Sequence, residues 1–121
     1  MNTYSKLLMH LERHVYKRGQ YKGDAPADRH HRSKSFFRVV KMGTSMVVRM
    51  HGTDLITAYP DGRIVIDTGG WYDSSTTRLR LNEALGFTGF GQIYTGKVMG
   101  LSQPVFRVGN NSYRYYDGME F

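Results

Sequence analysis

The sequence predicts an α+β fold: an N-terminal helix packed on a bent antiparallel sheet, then a short second helix and C-terminal hairpins. Three observations predict it. Residues 4–18 carry apolar side chains at helical spacing. Residues 35–67 and 91–121 are runs of Val, Ile, Phe, Tyr and Thr, cut at short intervals by Gly, Asn, Asp and Pro. Between those runs a helix-capping cluster follows a Gly-Gly break. At 121 residues the chain reads as one domain, large enough to bury about two-thirds of its extended surface.

Taken in order, Tyr4, Leu7, Leu8, Leu11 and Val15 recur every three or four residues, which places one apolar stripe on a helix. Arg13, Lys17 and Arg18 suit the dipole at its C-terminal end, and Gly19 is a stop signal. Residues 19–34 have no apolar period and read as a mobile loop, so that residues 1–34 form a basic helix and loop ahead of a β-rich body over 35–121. The meander strands are Phe36–Met42, Met46–His51, Asp54–Tyr59 and Arg63–Asp67, with Pro60-Asp61-Gly62 as the strongest turn signal. Asp73, Ser74 and Ser75 offer N-caps for a helix over 75–85, which Gly86 ends. Further strands are expected at Gln92–Thr95, Lys97–Leu101, Val105–Val108, Ser112–Tyr116 and Met119–Phe121, with Asn110-Asn111 and Asp117-Gly118 as hairpin turns.

Charge is unevenly distributed. Residues 1–41 hold Lys6, Arg13, Lys17, Arg18, Lys22, Arg29, Arg32, Lys34, Arg38 and Lys41 against Glu12, Asp24 and Asp28, a net charge of +7. The rest of the chain holds seven bases and seven acids. A cationic segment on a neutral body points to a polyanionic partner. The absence of cysteine excludes disulfides and thiolate metal sites. The N-terminal residues lack the apolar run of a signal peptide, and no stretch is long enough to span a bilayer. A soluble, cytoplasmic protein is therefore expected.

Thr53-Asp54, Asp61-Gly62, Gly69-Gly70-Trp71, Thr76-Thr77 and Arg80-Leu81-Asn82 punctuate the meander and its exit. In that order they resemble the pattern of an uncharacterised family of small tailed-bacteriophage proteins. The resemblance covers residues 36–85. Four residues separate Trp71 from Thr76 where family members place three. It implies a phage or prophage origin and no particular activity.

Each candidate site has a functional and a structural reading. The ten N-terminal cations, mixed with Tyr4, Tyr16, Tyr21 and Phe36, suit a phosphate backbone and stacked bases, or a solvated helix face and loop. His10 and His14 share a helix face at metal-ligand spacing, with His30 and His31 nearby in sequence. The expected reading is nonetheless two histidines of an amphipathic helix and no metal or other cofactor. Ser75, Thr76, Thr77, Arg78 and Arg80 form a candidate anion seat at a helix start, against ordinary capping. Trp71, the sole Trp, is expected in the core, and exposed it would anchor a partner. Tyr113 and Tyr115 are candidate anchors on one face of a strand, with Arg114 and Tyr116 on the other.

No nucleophile elbow, P-loop or kinase signature is present. The expectation is a non-enzymatic phage-type binding protein whose residues 6–41 contact nucleic acid, or a nucleic-acid-bearing host complex, in the host cytoplasm. Two alternatives accompany it. One is a protein–protein inhibitor of a host defence system, of anti-CRISPR or other anti-defence type. The other is a small virion or assembly component.

Overall fold

Asn2 opens the first helix, α1 (Thr3–His14): its side chain accepts from Ser5 N–H at 2.9 Å. The computed structural model describes residues 2–27, 36–98 and 100–121. Leu7 and Leu11, one turn apart, are buried, with Tyr4, Leu8 and Val15 packed around them, so the apolar stripe is the packing face. The helix stops at His14, earlier than Arg18. Val15 turns to extended backbone, and Tyr16 N–H donates to Asp24 O at 2.7 Å, which closes a loop outside the helix.

A six-stranded antiparallel sheet receives α1. Its strands are β1 (Ala25–Pro26), β2 (Phe37–Met42), β3 (Ser45–Met50), β4 (Thr53–Ala58), β5 (Ile64–Ile66) and β9 (Met119–Glu120), in the order β1-β2-β3-β4-β5-β9. The first of these corrects the expected loop over 19–34. Ala25 pairs with Val39 and Pro26 with Arg38, and Ala25 and Ala27 are fully buried. A two-residue strand of small side chains has no period to detect, and contact with α1 decides its burial. Residues 28–34 of that expectation lie outside the described residues. Pro26 sits on the sheet edge, where its missing N–H costs no ladder bond.

The meander matches its expected strands to within one or two residues at each end. β3 stops before His51 because that residue adopts φ 54°, turning the chain with Gly52. Between Val48 and Arg49 the register with β4 shifts, so Leu55 is an extra residue and both Leu55 and Ile56 are buried. Such a bulge bends and twists the strand.

Helix α2 (Ser75–Thr88) continues three residues past Leu85. Gly86 does not end it, because Thr88 is buried and its hydroxyl donates to Leu85 O at 3.0 Å. Termination falls to Gly89 at φ 69°, and Lys6 Nζ donates to the orphan Thr88 carbonyl at 2.7 Å.

A second, three-stranded antiparallel sheet follows: β6 (Gln92–Val98), β7 (Leu101–Val108) and β8 (Asn111–Arg114), in sequential order. Residues 92–98 form one unbroken strand, and the turn before β8 falls at Gly109-Asn110, one residue early. Asp117-Gly118 is a turn but not a hairpin: it carries the chain from the second sheet to the first, where β9 pairs with β5. The aromatic rings of Phe90, Phe106, Tyr113, Tyr115 and Phe121 join the sheets, with Phe106 and Phe121 centroids 5.2 Å apart. One continuous apolar cluster includes residues of both helices and both sheets.

Candidate polyanion surface and exposed aromatic patch

The cationic loop is built by four backbone hydrogen bonds. Tyr16 N–H donates to Asp24 O, Gly23 N–H to Tyr16 O at 3.0 Å, Lys22 N–H to Gly19 O at 3.2 Å and Asp24 N–H to Tyr21 O at 3.0 Å. Gly19 and Gly23 take φ 88° and 95°, which a side chain would strain. The loop therefore presents Lys17, Arg18 and Lys22 just beyond Arg13, all exposed. The β1–β2 register brings residues 22–24 to the end of β2 that carries exposed Lys41. None of these five cations forms an ion pair with a described residue.

The other five expected contacts divide. Lys6 caps α2. Arg38 pairs with the Asp24 carboxylate, stacks 4.1 Å over the Tyr21 ring and is only 11 % exposed, so it braces the loop from behind. Arg29, Arg32 and Lys34 lie outside the described residues, as do His30 and His31. Tyr21 is engaged by Arg38, and Phe36 stacks on His51 at 5.3 Å. Two of the aromatics expected to stack bases thus have partners within the fold.

His10 and His14 do share a face, with ring centroids 4.8 Å apart. His10 Nε2 lies 2.7 Å from Pro26 O, and its ring stacks on Phe87 at 4.8 Å. Among the described residues no cluster of three His, Asp or Glu forms around them.

The candidate anion seat is taken apart by capping. Thr77 N–H donates to Ser74 Oγ at 3.3 Å, and Thr77 is buried. Arg78 donates to the Thr95 hydroxyl on β6. Arg80 reaches Glu83 at 3.3 Å and lies 5.3 Å from the Phe36 centroid. Only Ser75 and Thr76 remain exposed at the helix start.

Trp71 is not in the core: it is 64 % exposed. The backbone before it explains why. Gly69 and Gly70 have φ 63° and 89°, and Gly69 N–H donates to Asp67 Oδ1 at 2.7 Å. The turn is stapled from the far end of the chain by Asp117. Its carboxylate accepts from Thr68 N–H at 2.8 Å, Thr68 Oγ1 at 2.7 Å, Gly70 N–H at 2.7 Å and Tyr115 OH at 2.6 Å. Burial pushes the Asp117 carboxyl up, but these bonds outweigh it and hold the group below its ordinary value. Burial and the acceptor carboxylate together raise the Tyr115 hydroxyl.

Tyr115 is therefore a buried strut and not an anchor. The chain leaves strand geometry after Arg114, so the expected alternation fails there. Tyr113 is half-exposed against Phe121. Tyr72 and Tyr116 are exposed, and with Pro104, Arg114, Tyr115 and Asp117 they line a cleft of about 620 Å³.

Two residues with structural consequence were invisible as such in the sequence. Asp117 reads there only as a turn residue, because its partners lie 47 and 49 positions away. Asn82 donates to Ile93 O and accepts from Ile93 N–H, both at 2.8 Å, and so occupies the outer edge of β6 like a short strand. The Arg-x-Asn spacing flagged Asn82 without saying why. Within the motifs from Thr53 to Asn82, Asp54, Gly70, Thr77, Arg80 and Asn82 make hydrogen bonds or ion pairs inside the fold, whereas Trp71 and Thr76 face solvent.

No family model, curated protein or solved structure matches this chain. Among the described residues, no helix is long and apolar enough to cross a membrane.

Proposed function

We propose that this is a non-enzymatic, phage-type binding protein that contacts nucleic acid, or a host complex bearing it, through backbone phosphates. The observation that carries the reading is the exposed group of Arg13 at the end of α1, Lys17, Arg18 and Lys22 on the loop that Arg38 and Asp24 brace, and Lys41 on the adjoining end of β2, none with an ion pair among the described residues. A cation set free of internal partners binds phosphates by displacing condensed counterions. Because the Tyr21 ring is engaged by Arg38, the loop's contribution to this reading is charge.

The test is fluorescence anisotropy with random DNA and RNA across a salt series. Five phosphate contacts give a log–log slope of about −4.5 on duplex DNA. Replacing all five cations by Gln removes that slope while leaving the core untouched. No binding by the wild-type protein at low salt refutes the reading.

A second reading, a protein–protein inhibitor of a host defence system, rests on a different observation. Trp71, Tyr72 and Tyr116 are exposed close to the rigid Asp117 staple, the kind of aromatic grouping that anchors protein interfaces. Capture of a host protein that a Trp71→Ala variant fails to retain, with no nucleic acid in the complex, would favour it.

A further inference from the structure

The neutral body is neutral only on average. Residues 84–116 contain Lys97, Arg107 and Arg114 and no acid, so the remainder of residues 42–121 has a net charge of −3. The positive part is the three-stranded sheet and its approach. Ile93 pairs with Phe106, and both are buried, which identifies the inner face. By the two-residue period of strands, Tyr94, Val105 and Arg114 form one row across the opposite face, and Gln92, Arg107 and Ser112 form the next. Arg107, Arg114, Gln92 and Ser112 are exposed.

Gly96 shapes this face. A Cβ there would stand 2.9 Å from Val105 Cγ2 and 3.3 Å from Tyr94 Cε2. The missing side chain leaves room for the Tyr94 ring to reach over the sheet beside Val105. Tyr94 is half-buried, so part of its surface stays open to solvent. Arg107 Nε donates to Gly109 O at 3.1 Å, which anchors its guanidinium at the strand end, and neither Arg107 nor Arg114 has an ion-pair partner among the described residues.

We infer that this outer face binds single-stranded nucleic acid, with an unpaired base against Tyr94 and phosphates on Arg107 and Arg114. The charge sign selects a polyanion. The aromatic within the cationic surface selects one with accessible ring faces, which a duplex keeps inside its stack. The inference rests on the nucleic-acid reading above and adds a second contact, distinct from the loop, that prefers single strands.

The experiment uses the full-length protein, a labelled random single strand and its duplex, and three variants. These are Tyr94→Leu, the pair Arg107→Gln with Arg114→Gln, and the five-fold loop variant. Circular dichroism and thermal melting check that each is folded. Tyr94→Leu is expected to weaken single-strand binding about tenfold and leave duplex binding unchanged. The arginine pair is expected to flatten the single-strand salt slope by about 1.4. Should Tyr94→Leu fail to fold, the arginine pair, both residues being exposed, carries the test. Wild-type single-strand affinity in both variants, with loss only in the loop variant, overturns this inference and leaves the proposed function standing. No binding by the wild-type protein to either probe overturns both.

Discussion

Replacing Asp117 with Ala is expected to destabilise the protein by about 3–4 kcal/mol. The carboxylate accepts four hydrogen bonds from three residues. Two of those donor residues, Thr68 and Tyr115, are buried, so water does not replace the lost acceptor. A buried donor left unmade costs about 1–3 kcal/mol, and a bond to a charged group contributes about 1.5–3 kcal/mol. Gly70 is exposed and recovers its bond from water, and the truncation removes a burial penalty on the charge, so the total stays well below the sum of four. For a domain of this size, each kcal/mol lowers Tm by about 4 °C, so the variant melts about 12–16 °C lower. Urea denaturation at neutral pH, followed by circular dichroism, measures the difference directly. The pH dependence gives an independent check. Because the folded Asp117 carboxyl is held below its ordinary value, its contribution is full above about pH 4 and falls away as pH drops through the lowered folded value. The gap between wild type and variant therefore closes in acid. A loss below about 1 kcal/mol at neutral pH, or a gap that widens in acid, would refute the staple argument.

Three further predictions follow from the same structure. Asn82→Ala leaves both backbone groups of Ile93 without their partner and should cost about 2–3 kcal/mol by denaturant titration. Asp24→Ala removes the carboxylate that pairs with the largely buried Arg38, so stability should drop by about 3 kcal/mol and trypsin should cleave faster after Lys17, Arg18 or Lys22. Trp71→Ala should change stability by no more than about 0.5 kcal/mol, because the ring is 64 % exposed, and in the wild type a neutral quencher should extinguish the Trp emission efficiently.

The elements legible in the sequence are those where a repeating pattern meets a local signal. The apolar stripe of α1, the Pro60-Asp61-Gly62 turn and the Val- and Ile-rich meander needed no partner to be visible, since helix and strand periods are properties of neighbouring residues. Elements without a period were missed or misplaced. Ala25 and Ala27 are ordinary loop residues until α1 covers them. Gly86 is a stop signal unless Thr88 is buried two residues further on. Trp71 belongs in a core by its size, yet the left-handed Gly69 and Gly70 put it on the surface.

The candidate site shows the same division. The sequence pattern established by itself the α+β class, and composition and charge order that the chain is cysteine-free with its excess positive charge in the first third. Tertiary structure decided which cations are available. Arg38 and Lys6 are held by Asp24 and by a helix end, whereas Arg13, Lys17, Arg18, Lys22 and Lys41 are left to solvent. It also decided that Asp117 and the Gly-Gly turn, almost fifty residues apart, share one hydrogen-bond network. The physical reason is the same in each case. Propensity and charge are sums over neighbouring residues and can be read along the chain, whereas burial and pairing depend on contacts that exist only once distant segments meet.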